Sequence, residues 1–176
     1  YVTRHLVPLA DIVLDFHSGG KTLDFLPYAA AHELPDKAQE ARCFAAVAAF
    51  SAPYSMKMLE IDAVGMLDTT VEEMGKVFVT TELGGAGTAS ARSIAIARRG
   101  ASNLLRHAGI LAGTPETTPT SWLDMPSADC FSFAQDDGLI VFEHDLGEPV
   151  RAGEVIARVY PVGKTGLAPA EYQAAM

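Results

Sequence analysis

The chain has 176 residues, a net charge of −9 and 49% apolar residues, enough for one medium domain or for a small domain with an appendix. That acidity excludes a nucleic-acid or anionic-membrane surface, since both need clustered Lys and Arg. No apolar run reaches the roughly 18 residues of a spanning helix, and no signal-peptide pattern opens the chain; a soluble, cytoplasmic protein with no membrane partner is expected.

In chain order, ADIVLDF (residues 10–16) is short, apolar and rich in β-branched residues, broken only by acids. It suits a central strand covered on both faces. It runs into His17 and then Gly19 and Gly20, where the backbone can turn sharply and a ligand can approach. DKAQEARCFAAVAAF (36–50) has apolar residues at helical spacing behind Pro35, with Asp36 placed where an acid favours the helix dipole. A helix of about four turns is expected there. KVFVTTEL (76–83) reads as a second buried strand, and it too ends at glycines, Gly84, Gly85 and Gly87. GTASARSIAIARRGASNLLRHAGIL (87–111) is a long amphipathic helix with Thr88 or Ser90 as its cap. Strand, helix, strand, helix predicts an α/β layered fold with its chemistry on loops at sheet ends.

Composition shifts at AGTPETTPTSWLDMPS (112–127), whose prolines cannot continue a helix. Beyond it the pattern alternates with period two, from CFSF through GLIVFEHDLGEPVRAGEVIARV, with turns at DDG and LGEPVRAGE. The expected division is residues 1–115, an α/β unit, and 125–176, a small all-β module. Cys43 and Cys130 lie far apart in different kinds of segment and read as reduced core thiols rather than a disulfide. Met56, Met58, Met66 and Met74 read as core filler.

Two strand ends carry the candidate chemistry. Alternation points Asp15 and His17 to the same side of the first strand, so the carboxylate can hydrogen-bond the imidazole. A carboxylate at the end of a buried strand, as at Glu82, is costly unless paired, metal-bound or protonated. His17 and Glu82 facing one crevice would offer a Zn²⁺ ligand and a separate proton acceptor, the two parts a metal hydrolase needs. The plain alternatives are a histidine bonded to a nearby carbonyl and a solvated glutamate. Lys21 and Lys57 read as surface lysines with a possible substrate contact, Tyr54 as a residue lining the site, and His32 as a cap that could also approach the cleft.

The segments LDFHSGGKTLDFLPYAAAH, PYSMKMLEID and VFVTTELGGAGT together resemble the succinylglutamate desuccinylase/aspartoacylase family of zinc amidohydrolases. Within it they are most similar to the branch that deacetylates Nα-acetyl-2,4-diaminobutyrate in ectoine degradation. The resemblance, running from Arg4 to about Pro161, implies a partial zinc-carboxypeptidase-like mixed sheet flanked by helices, followed by a small β domain. That domain's turns are similar to those of biotinyl and lipoyl carriers, but no lysine occupies the modified turn, so a carrier role is not expected. The resemblance makes His17 the later zinc-ligating histidine and Glu82 the catalytic glutamate. It implies hydrolysis of a small N-acyl amino acid with one Zn²⁺ per complete site.

The family's first two zinc ligands form an H-x-x-E pair, and none of the other four histidines (His5, His32, His107, His144) begins one. The chain therefore reads as a carboxyl-terminal fragment, with zinc absent or weakly held. Three expectations stand: from the catalytic reading, His17 and Glu82 at one sheet edge with tips within about 10 Å; from the composition shift, residues beyond 125 forming a β module; and from the fragment reading, a homo-oligomer joined near the first strand. The alternative to the hydrolase is a non-catalytic fragment or oligomerisation module that keeps the fold without the metal.

Overall fold

The computed structural model describes residues 1–61 and 63–175. The chain divides into two compact units, Tyr1–Met125 and Pro126–Met176. In the first, a wide π turn (Val2–Leu6) and a 3-10 turn (Val7–Leu9) lead into β1 (Ile12–His17). Then come β2 (Tyr28–His32), α1 (Lys37–Phe50), β3 (Tyr54–Met58), α2 (Leu67–Glu73), β4 (Val77–Glu82), α3 (Ala91–His107) and β5 (Ser121–Asp124). The strands form one mixed sheet in the order β1-β4-β2-β3-β5. Neighbours run parallel except β4 and β2, which are antiparallel.

Local chemistry sets the helix starts. The Asp36 carboxylate accepts from the Ala38 and Gln39 N–H groups, so it caps α1 as well as facing its dipole. Of the two candidate caps of α3, Ser90 is the one used; it forms a reciprocal capping box with Ser93.

The two faces of the sheet bury different partners. On one, Cys43, Ala46, Val47 and Phe50 of α1 and Ile96 and Leu104 of α3 cover Ala29, Ala31, Val77 and Val79. Small side chains on β2 let α1 settle close to the strand. Gly100 does the same between the helices, since a Cβ there would sit 2.3 Å from the Phe50 ring. On the other face a smaller cluster joins Val7, Val71 and Phe78 with Val13 and Leu67. By alternation Asp15, His17, Thr80, Glu82, Tyr28 and His32 share that second face.

Several expectations need correction. Within these 176 residues β1 pairs with β4 alone, and its residues are half buried or exposed. An apolar run reports that both faces are covered, which they are, and says nothing about lateral neighbours. β2, β3 and β5 were not foreseen as strands. YAAAH favours a helix by propensity and becomes a strand because α1 packs on it, while Ser121–Asp124, inside the proline-rich stretch, pairs with β3. Cys130 is exposed, so only Cys43 is a core thiol, and neither is in a disulfide. Met66 and Met74 are exposed and do not fill the core.

The second unit holds a 3-10 turn (Ala128–Cys130) and an antiparallel sheet of β6 (Leu139–Phe142), β7 (Val155–Tyr160) and β8 (Ala170–Gln173), in that order. CFSF, expected to be extended within it, forms no strand. Ala157 and Val159 on β7 are buried, and Arg158, on the opposite side, bonds Glu143 and Glu171. Among the described residues, no helix is long and apolar enough to cross a membrane.

Candidate active site

Backbone register assembles the site. β1 and β4 are parallel neighbours with His17 opposite Glu82. β2 lies on the other side of β4 with Tyr28 opposite Glu82, and β3 continues the row with Tyr54 opposite Tyr28. His17, Glu82, Tyr28 and Tyr54 therefore stand in one row across the end of the sheet, on one face. Adjacent strands lie about 4.8 Å apart, so His17 and Glu82 are at the same edge as expected. Tyr28 gave no signal in the sequence, because only the antiparallel turn of β2 brings it beside Glu82.

Each side chain has a defined setting. Asp15 Oδ2 lies 3.3 Å from His17 Nε2, so it can orient the half-exposed imidazole. The His17 N–H donates to Thr81 Oγ1 at 3.2 Å. Glu82 keeps Oε2 buried with no hydrogen-bond partner among the described residues. Burial is the main force holding its carboxyl above the ordinary range; His17 opposes the shift and the Asp15 charge adds to it. Burial, reinforced by Glu82, pushes the Tyr28 hydroxyl up to about 12, so it stays protonated and able to donate.

The glycine loops lock these strand ends together. Gly19 N donates to Gly84 O at 2.9 Å, Ala86 N to Leu23 O at 2.8 Å, and Gly87 N to Gly20 O at 2.7 Å. A Cβ on Gly19 would lie 2.3 Å from Leu23 O, and one on Gly85 only 2.0 Å from the same atom. Both positions need glycine because backbone meets backbone there.

The remaining candidates lie elsewhere. Lys57 pairs with Asp124 at 3.3 Å, and Lys21 is exposed. His32 does not approach the His17 row: it ends β2 at the opposite end of the sheet, where α2 covers it. There its Nδ1 lies 3.1 Å and 3.2 Å from the two Glu72 carboxylate oxygens and 3.9 Å from Glu60 Oε2. His32, Glu60 and Glu72 are the one group of three His, Cys, Asp or Glu donors among the described residues with ligand atoms within 4.8 Å of one another. Among the described residues, the His17 row holds no group of three donors with ligand atoms within 4.8 Å of one another. The described residues there do not fit a complete zinc site, which needs three protein ligands.

The chain matches the family described as the succinylglutamate desuccinylase/aspartoacylase catalytic domain over residues 1–108. It is 48% identical over 176 residues to N-alpha-acetyl-L-2,4-diaminobutyric acid deacetylase of Halomonas elongata, covering 99% of this chain and 52% of that protein. Among solved structures it is similar to the product-bound ectoine utilization protein EutE (DoeB) of Ruegeria pomeroyi, at 59% identity and a TM-score of 0.95, covering 99% of this chain and 53% of that one. A succinylglutamate desuccinylase/aspartoacylase from Rhodobacter sphaeroides is 33% identical, with a TM-score of 0.91, over 99% of this chain and 53% of its own. The chain thus spans about half the length of these relatives.

Proposed function

Because the chain belongs to the succinylglutamate desuccinylase/aspartoacylase family, we propose that it forms the carboxyl-terminal part of a zinc-dependent deacylase acting on a small N-acyl amino acid. The observation that carries this reading is Glu82, a carboxyl raised by burial, with one oxygen unbonded, standing beside an imidazole at a sheet end. Such a group can accept a proton and give it back. In the reaction, Glu82 takes the proton from the attacking water and delivers it to the departing nitrogen. The C–N bond breaks, leaving a carboxylate and a free amine.

Zinc, which the family resemblance implies, supplies Lewis acidity when bound. His17 is assigned as one of its ligands, held in orientation by Asp15. The other ligands would come from residues outside these 176. Tyr28, protonated beside Glu82, offers a hydrogen bond to the substrate. The 48% identity to N-alpha-acetyl-L-2,4-diaminobutyric acid deacetylase supports Nα-acetyl-L-2,4-diaminobutyrate as the substrate, and the two free thiols fit a cytoplasmic location.

A chimera tests this. This chain replaces the matching segment of the Halomonas elongata deacetylase, and acetate release from Nα-acetyl-L-2,4-diaminobutyrate is measured. Activity is expected, with a loss of at least 100-fold in Glu82→Gln and loss of bound zinc in His17→Gln. A folded chimera with no activity, or a fully active Glu82→Gln form, would overturn the reading.

The second reading, a module that keeps the fold without the metal and self-associates, is supported by β1. An apolar groove of Ile12, Leu14, Leu104, Leu105 and Ile110 lies beside it. Homo-oligomer formation through that groove predicts a dimer in sedimentation equilibrium that Leu14→Lys dissociates.

A further inference from the structure

We propose that His32, Glu60 and Glu72 form a second metal site, for a first-row divalent cation such as Zn²⁺, on the α2 side of the sheet. The site is independent of the His17 row: His32 lies four residues along β2 from Tyr28, about 13 Å away at the usual strand rise.

The geometry suits an ion, since one ligand atom from each of the three residues lies within 4.8 Å of the others. Zn²⁺ holds imidazole nitrogen and carboxylate oxygen at about 2.0–2.2 Å in a tetrahedron, which places donor atoms roughly 3.3–3.6 Å from one another. The observed separations from His32 Nδ1 bracket that range, at 3.1 Å to Glu72 and 3.9 Å to Glu60. Small rotations of two glutamate side chains would complete the arrangement.

Three separate elements supply the donors: the end of β2, the segment after β3, and α2. His32 is 4% and Glu72 8% exposed, which keeps these two donors out of water. Glu60 stands at the surface and leaves the fourth position open to solvent, giving an entry path. An outer layer holds the ligands. Thr69 Oγ1 donates to Glu60 Oε2 at 2.8 Å. Gln39 Nε2 donates to the Glu72 and Lys76 carbonyls at 2.8 Å and 2.9 Å, fixing the last turn of α2.

Charge points the same way. A buried histidine needs one carboxylate to form an ion pair, yet Glu72, Glu60 and Asp68 all act on His32. Several carboxylates around one imidazole suit a divalent cation as their shared ligand. One imidazole with carboxylates favours Zn²⁺, Mn²⁺ or Fe²⁺ over Mg²⁺ and Ca²⁺. The bound ion would tie β2 to α2.

The test titrates the metal-stripped chain with Zn²⁺ by calorimetry, and with Co²⁺ followed by its visible absorption. One equivalent is expected to bind. Affinity should fall at least 10-fold in Glu60→Gln, whose surface side chain can change without unfolding the chain, and also in Glu72→Gln. His17→Gln should bind as the wild type does. Absence of binding, binding that Glu60→Gln leaves unchanged, or binding lost in His17→Gln alone would each overturn the proposal, and the last would place the ion at the His17 row.

Discussion

Gly85→Ala is the sharpest probe of how the strand-end loops are held. Gly85 is not among the glycines with positive φ, so alanine brings no left-handed backbone strain there and the effect is steric. The new Cβ would lie 2.0 Å from Leu23 O, whereas carbon approaches a carbonyl oxygen to about 3.3 Å. The loops must therefore separate by about 1.3 Å. That opening breaks the 2.8 Å bond from Ala86 N to Leu23 O and strains the 2.9 Å bond from Gly19 N to Gly84 O. Losing one such bond costs about 1 kcal/mol, and forced repacking adds about 1–2 kcal/mol. The expected sum, about 2–3 kcal/mol, lowers the melting temperature by roughly 5–10 °C. Gly20→Ala is the control: its φ of +62° strains alanine by about 1 kcal/mol, but nothing lies within 4 Å of its Cβ. Urea unfolding and amide hydrogen exchange at Ala86 measure both variants. If Gly85→Ala is no less stable than Gly20→Ala and Ala86 keeps its protection, the interlocked-loop argument is wrong.

Glu82→Gln should stabilise the metal-free chain at pH 7. Its folded pKa is raised, so ionisation costs the folded state; stability is fully present below the unfolded carboxyl range and falls as pH climbs through it toward the raised value. The urea midpoints of variant and wild type should differ at pH 7 and converge below about pH 4, and a wild type more stable at pH 7 would mean the His17 attraction outweighs burial. Thiol labelling should modify Cys130 at once and Cys43 only on the timescale of unfolding, because Cys43 is buried and its thiol is pushed up by that burial. Ser90→Ala should cost about 1 kcal/mol by removing the α3 capping box, while Thr88→Ala should leave the helix end unchanged in the same denaturation assay.

Elements whose identity is written in local chemistry were legible in the sequence alone. α1 announces itself through Asp36 and helical spacing, α3 through its amphipathic run and Ser90, and β4 through a block of β-branched residues ending at glycines. His17 and Glu82 could be named because each stands where an apolar run meets a glycine turn, and the quoted motifs tied both to one family. Tertiary structure decided the rest. YAAAH is a strand only because α1 needs small side chains beneath it. His32, equally plausible at the cleft when read along the chain, went to the opposite end of the sheet because β2 runs antiparallel to β4. Tyr28 joined Glu82 for the same reason. Strand direction and lateral order arise from pairing between segments dozens of residues apart, and a hydrophobic pattern records which face is covered but not which neighbour lies alongside.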